Sequence, residues 1–179
     1  GCKFVHGGKD SACAWTDGRS ISINEDMIQE FNENPMVEDD EGNQVNRTIG
    51  QKEMQFIVCH ELLHLIGLTF ERMKNVGLYK EDLGSEETQR KWELWNQATD
   101  YEINSLLHNN ESTDLSYGDR KRNPVGNMPE WVLYKSEYKD LQAEEIFKQL
   151  VEEEKKNNNG TLLKPQSPGA SGQGGNGKN

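Results

Sequence analysis

Val58-Cys59-His60-Glu61-Leu62-Leu63-His64-Leu65-Ile66 is the stretch on which the reading of this 179-residue chain turns. It lies in a longer run, Gln51 to about Lys74, where Met54, Ile57, Val58, Leu62, Leu65 and Ile66 recur at three- and four-residue spacing. That period predicts a buried helix, ended by Gly77. Residues four apart on a helix are rotated by about 400°, so His60 and His64 stand within about 40° of each other, one turn apart. Two neutral imidazoles so placed can chelate Zn2+. Glu61, about 100° round from His60, can hold and deprotonate a water on the metal without itself ligating it. Apolar flanks predict a partly desolvated cleft, in which the attraction between carboxylate and metal is strengthened. A chance match on a surface helix would more often carry Lys or Glu there, and two of the four histidines of the chain lie in this motif.

A catalytic zinc takes three protein ligands and a water, and a structural zinc takes four, so a further ligand must come from elsewhere. The extended pattern HExxHxxGxxH fails: Gly67 occupies the glycine place, but Phe70 stands where the third histidine belongs. Glu86, Glu87, Glu93 and Glu102 offer carboxylates on a following helix. The most suggestive stretch is Trp95-Asn96-Gln97-Ala98-Thr99-Asp100-Tyr101-Glu102-Ile103-Asn104, where Asn96, Asp100 and Asn104 fall on one face at i, i+4 and i+8. Next to Trp92, Trp95 and Ile103 this stripe suggests a polar group turned inward, with a solvated face as the alternative. Cys59 adjoins His60 but points about 100° away. Cys2, Cys13 and Cys59 have no CxxC spacing and read as free, buried or half-buried thiols.

Outward from the motif, Ala12 to Trp15 and Ser20 to Ile23 flank Thr16-Asp17-Gly18-Arg19, a signal for a tight antiparallel hairpin. Asn24 caps a helix to about Asn32, with Glu25 and Asp26 at its positive end. Pro35 to Gly50, with Glu38-Asp39-Asp40-Glu41-Gly42, reads as a polar loop and a solvated turn. Ser85 opens a helix to about His108, with Trp92, Trp95, Ala98, Ile103 and Leu107 as core residues. Asn109 to Lys139 reads as irregular, and Gln142 to about Lys155 as a last helix with Ile146, Leu150 and Val151 inward. The expectation is one α+β domain over residues 1–156, mostly helical with a small β-hairpin beside the motif helix. Residues 157–179, rich in Asn, Gly and Ser, are expected to form a flexible linker or tail.

A net charge of −11 repels phosphate backbones and anionic lipid, so neither nucleic acid nor a membrane is an expected partner. There is no apolar run of about 18 residues and no basic-then-apolar leader, which reads as cytoplasmic. The chain begins at Gly1 rather than Met, which leaves an upstream leader open.

Four blocks, in order, resemble the putative metallopeptidase domain family found ahead of von Willebrand factor A-like regions in bacterial and phage proteins. They are Ala14-Trp15-Thr16-Asp17-Gly18-Arg19 leading to Ile23-Asn24, then Cys59-His60-Glu61-Leu62-Leu63-His64, then Trp95-Asn96 with Ala98, Asp100-Tyr101 and Ile103-Asn104, and last Leu141-Gln142-Ala143-Glu144-Glu145-Ile146. The likeness spans most of residues 12–152. It implies a zincin-like fold with a small sheet beside the active-site helix, His60 and His64 as zinc ligands, Glu61 as general base and Asp100 as third ligand. Pro35 to Gly50 and the stretch around Tyr117 to Asn127 are longer than the family pattern, which bears on substrate specificity and not on the metal set.

The expected function is a zinc-dependent metallopeptidase that hydrolyses peptide bonds of a peptide or protein substrate through a zinc-bound water activated by Glu61. Tyr101, Tyr134 and His108 are candidates to steady the oxyanion, and the strand near Ser20 to Asn24 is the expected edge for an extended substrate. One alternative is a zinc amidase or deformylase-like hydrolase, although neither the glycine-rich strand nor the cysteine ligand of deformylases is found. Another is a non-catalytic, zinc-stabilised interaction module, tethered to a further domain through the tail.

Overall fold

The computed structural model describes residues 3–6, 12–38, 42–79, 84–110, 125–158, 160 and 162. Strands β1 (Lys3–His6), β2 (Ala14–Thr16) and β3 (Ser20–Ile23) form a mixed sheet in the order β1-β3-β2. The expected hairpin is β2–β3, with Trp15 opposite Ser22, and β1 adds a parallel partner for β3 that the sequence did not signal. At the turn, Asp17 Oδ1 accepts from Arg19 N and Ser20 N, both at 2.8 Å, while Gly18 takes a φ of +87° that a side chain would strain.

Helix α1 (Glu25–Glu33) starts as expected, Asn24 accepting from Met27 N. The stretch from Pro35 to Gly50 is not a plain loop. Met36–Glu38 (β4) and Gln44–Asn46 (β5) pair antiparallel about Val37 opposite Val45. Each strand carries a short apolar alternation, too little to separate from loop without the cross-strand partner. Residues 39–41 of the acidic turn lie outside the described residues. The exit from this hairpin is pinned by Asn32, whose amide donates to Ile49 O and accepts from Ile49 N.

Helix α2 (Gln51–Ile66) carries the motif but is shorter than its periodicity implies. Gly67 N donates to Leu63 O, Leu68 adopts left-handed backbone with φ +53°, and the chain re-enters helix as α3 (Thr69–Arg72), followed by a 3-10 turn over Met73–Val76. Gly77 then ends the segment with φ +75°, where the sequence placed its end. The buried face also differs: Phe56, Ile57 and Glu61 are buried, whereas Ile66 is 71% exposed. A helix apolar on nearly every side gives periodicity no face to choose, so its neighbours decide.

Helix α4 (Glu86–Asn110) is the spine. Its N-terminal half packs Leu94, Trp95 and Ala98 against Ile146 and Phe147 of α5 (Ala143–Asn157). Its C-terminal half packs Ile103 and Leu107 on Phe56 of α2. Cys13, Ala14, Ile49 and Ile57 form a third cluster between sheet and α2. Gly126, with φ +80°, lies so close to the first turn of α2 that a Cβ there would meet Lys52 O at 2.1 Å, and Asn127 N donates to that same carbonyl. Residues 111–124 and 163–179 lie outside the described residues, as therefore does most of the expected tail; Leu162 packs against the α4–α5 core. The described fold is α+β and mostly helical, and no helix of it is long and apolar enough to cross a membrane.

Candidate metal centre

Packing of α2 on α4 brings three side chains to one point. His60 and His64 Nε2 stand 2.9 Å apart, and Asp100 Oδ1 lies 3.4 Å from the first and 3.1 Å from the second. Ligand-type atoms of these three residues lie within 4.8 Å of one another, and among the described residues they are the group able to hold a metal ion. The other imidazole nitrogens are engaged as well. His60 Nδ1 contacts Asn104 Oδ1 at 2.8 Å, and His64 Nδ1 contacts the buried Thr69 hydroxyl at 3.2 Å. The break at Gly67 and Leu68 is what turns Thr69 back beneath His64.

This donor set fits a divalent cation. Two imidazole nitrogens and a carboxylate oxygen, each carrying a lone pair, converge in partly buried surroundings where a bound cation offsets their mutual repulsion; nitrogen and oxygen donors of this kind suit zinc. Electrostatics agree. Burial opposes ionisation of Asp100, but hydrogen bonds with both imidazoles and their charge hold its carboxyl well below the usual carboxylate range. Burial also opposes charge on His60, yet contact with Asp100 raises its pKa above the ordinary value. Glu61, only 7% exposed, is pushed up by burial, with the neighbouring imidazoles acting in the opposite direction.

The centre opens into a cleft of about 620 Å³. Asn96, Asp100 and Asn104 all line it, exposed, half-buried and buried in turn, so the polar stripe of α4 runs from the surface into the cleft. Trp92 lines it too, half-buried, while Trp95 is a core residue with 1% exposure. Trp15, Phe31 and Trp131 add aromatic rings to its lining, and Val37 of the unexpected hairpin and Arg47 just beyond it line it too. Arg47 sets its guanidinium 4.4 Å from the centre of the Phe31 ring.

Several expectations are corrected here. The strand near Ser20 to Asn24 has no open edge, because β3 is paired by β1 on one side and β2 on the other. The outer strand along the cleft is β2, through Ala14, Trp15 and Thr16. Tyr101, Tyr134 and His108 do not line the cleft: Tyr101 packs edge-on against Tyr138, and His108 lies against Tyr134. Among the alternative carboxylates, Glu102 is taken by Arg72, Glu93 by Arg90 and Glu87 by Lys91, and Glu86 is exposed. Cys13 and Cys59 are free thiols outside the metal-competent group. Thr69, Asn104, Trp131 and Arg47 were given no role by sequence; only the i+8 position of Asn104 hinted at one.

A family model described as a putative metallopeptidase domain matches residues 44–179, which includes the motif helix and α4 but not the β2–β3 hairpin block. No curated protein and no solved structure matches.

Proposed function

This chain belongs to the putative metallopeptidase domain family, and from that premise we propose that its two-helix centre is a catalytic zinc site that hydrolyses peptide bonds. The observation that carries the proposal is the meeting of His60, His64 and Asp100 within 4.8 Å, with the buried Glu61 on the same helix as the two imidazoles. In this reading His60 and His64 give Nε2 lone pairs and Asp100 gives Oδ1, three protein ligands as in a catalytic rather than a structural site. Zinc bound there supplies a Lewis acid that polarises a carbonyl and lowers the pKa of water toward neutrality.

The protein does the rest. Glu61 takes a proton from the attacking water on a carboxylate oxygen, and the same carboxyl gives it to the leaving amine nitrogen as the C–N bond breaks. In the metal-free site burial raises its pKa against the opposing charge of the two imidazoles. Strand β2 offers main-chain groups to an extended peptide, and the aromatic residues that line the cleft suit large apolar side chains. A zincin-like arrangement, a substrate that is a peptide or protein and a cytoplasmic setting belong to the same proposal.

The test pairs metal content with cleavage. Zinc-loaded protein should cleave members of a peptide library, and Glu61→Gln should retain stoichiometric zinc while losing at least about 100-fold in rate, the typical share of a general base. Unchanged cleavage in Glu61→Gln would sink the mechanism. Bound zinc, a folded metal-free form and no cleavage by the wild type would favour the zinc-stabilised module instead.

A further inference from the structure

We infer that Asn104 is a positioning residue that locks His60 in the one neutral tautomer able to bind metal, and that the two histidines are therefore not equivalent. The inference rests on the zinc reading for its consequence, though not for its geometry. Asn104 is 1% exposed and its amide bridges two elements. Its Nδ2 donates to Leu133 O at 2.8 Å, and because a carbonyl can only accept, that contact fixes which end of the amide is nitrogen. The other end, Oδ1, can likewise only accept, and it lies 2.8 Å from His60 Nδ1. His60 Nδ1 must then carry the hydrogen, which leaves Nε2 of the neutral ring as a bare lone pair aimed at Asp100 and His64.

His64 has no such constraint. Its Nδ1 faces the hydroxyl of Thr69 at 3.2 Å, and a hydroxyl accepts or donates according to what it meets. His64 can thus keep either tautomer in the metal-free protein, and adopts the Nδ1–H form when a cation takes Nε2. His60 is the anchor ligand, already set; His64 is the adaptable one. The lock also ties the site to the cleft wall, since Leu133 lies next to Trp131 and Val132 and all three line the cleft.

Asn104→Leu removes the acceptor at similar volume, Asn104→Asp keeps an acceptor for His60 but loses the donor to Leu133 O, and Thr69→Val removes the hydroxyl at His64. Long-range proton–nitrogen correlation spectra of the metal-free proteins, recorded at a pH high enough that both imidazoles are neutral, read each tautomer, and chelator competition reads zinc affinity. His60 should be the Nδ1–H tautomer in the wild type and in Asn104→Asp, and a mixture in Asn104→Leu. Zinc should bind about 10- to 100-fold more weakly to Asn104→Leu, the range for loss of a partner behind a metal ligand, with a smaller loss in Thr69→Val and substantial rescue in Asn104→Asp. A His60 tautomer unchanged in Asn104→Leu, with affinity within about twofold of wild type, overturns the inference. Should Asn104→Leu not fold, loss of the Nδ1–H tautomer in Asn104→Asp overturns it equally. If the wild type binds no zinc, the proposed function fails while the tautomer spectra still decide the lock.

Discussion

At His60 a proton and the proposed metal would compete for one ring nitrogen. Burial disfavours its cationic form, but Asp100, 3.4 Å away, outweighs burial and raises the pKa above the ordinary 6.5. Zinc can bind only the unprotonated ring, so binding must release whatever proton the metal-free site holds. The sign follows: apparent zinc affinity should fall as pH drops from about 8 to about 6, with an onset above the ordinary histidine value. Chelator competition across that range measures it, and Asp100→Asn should move the onset toward lower pH while weakening zinc at every pH. That His60 and His64 share one helix face was legible from spacing alone, because a helix fixes the angle between neighbours one turn apart. Thr69 was not, since its position under His64 depends on a left-handed residue at Leu68 that no local pattern announced.

Helix α2 owes its placement to contacts at both ends. Its C-terminus is broken at Gly67 and Leu68, and its first turn is held by Gly126 and Asn127 across a long stretch of sequence. Replacing Gly126 by Ala puts a Cβ into Lys52 O and forces a side chain onto a backbone with φ +80°. The expected cost is about 2–4 kcal/mol, read as a lower urea midpoint, with unchanged m-value if the denatured state is unaffected. The β2–β3 hairpin and the Asn24 cap were legible because turn and cap chemistry are local. The β4–β5 hairpin was not, since two three-residue strands acquire their identity only by pairing. Val37 of this hairpin and Arg47 just beyond it line the cleft.

At the scale of the whole molecule, ion clusters tie the helices together around the centre. Arg72 of α3 reaches both Glu102 of α4 and Glu144 of α5, and Arg90 of α4 meets Glu154 of α5 with both side chains nearly buried. Arg72 also withdraws Glu102 from any competition for metal. Its guanidinium holds Glu144 below the ordinary carboxylate value of 4.5, outweighing partial burial. A carboxylate with a depressed folded-state pKa contributes stability that is present above its unfolded value and lost as pH falls through the folded one. Arg72→Leu should therefore destabilise the fold by about 2–3 kcal/mol near neutral pH, since it leaves two partly buried carboxylates without their partner. The penalty should shrink below about pH 4, and urea unfolding at the two pH values measures the difference.

The motif helix, the hairpin beside it, the long α4 with its polar stripe, and family membership could all be read along the chain. These follow from repeating geometry within one element, or from blocks in order along the chain. Which carboxylate meets the histidines, which face of α2 is buried, and which outer strand borders the cleft depend on how the elements pack. Family resemblance had pointed to Asp100; the packing of α2 on α4 is what sets it there and occupies Glu87, Glu93 and Glu102 elsewhere. His60 and Asn104 are 44 residues apart in the chain and 2.8 Å apart in space. No local period encodes such a contact, because it is created when two apolar faces, Phe56 on one helix and Ile103 and Leu107 on the other, exclude water together.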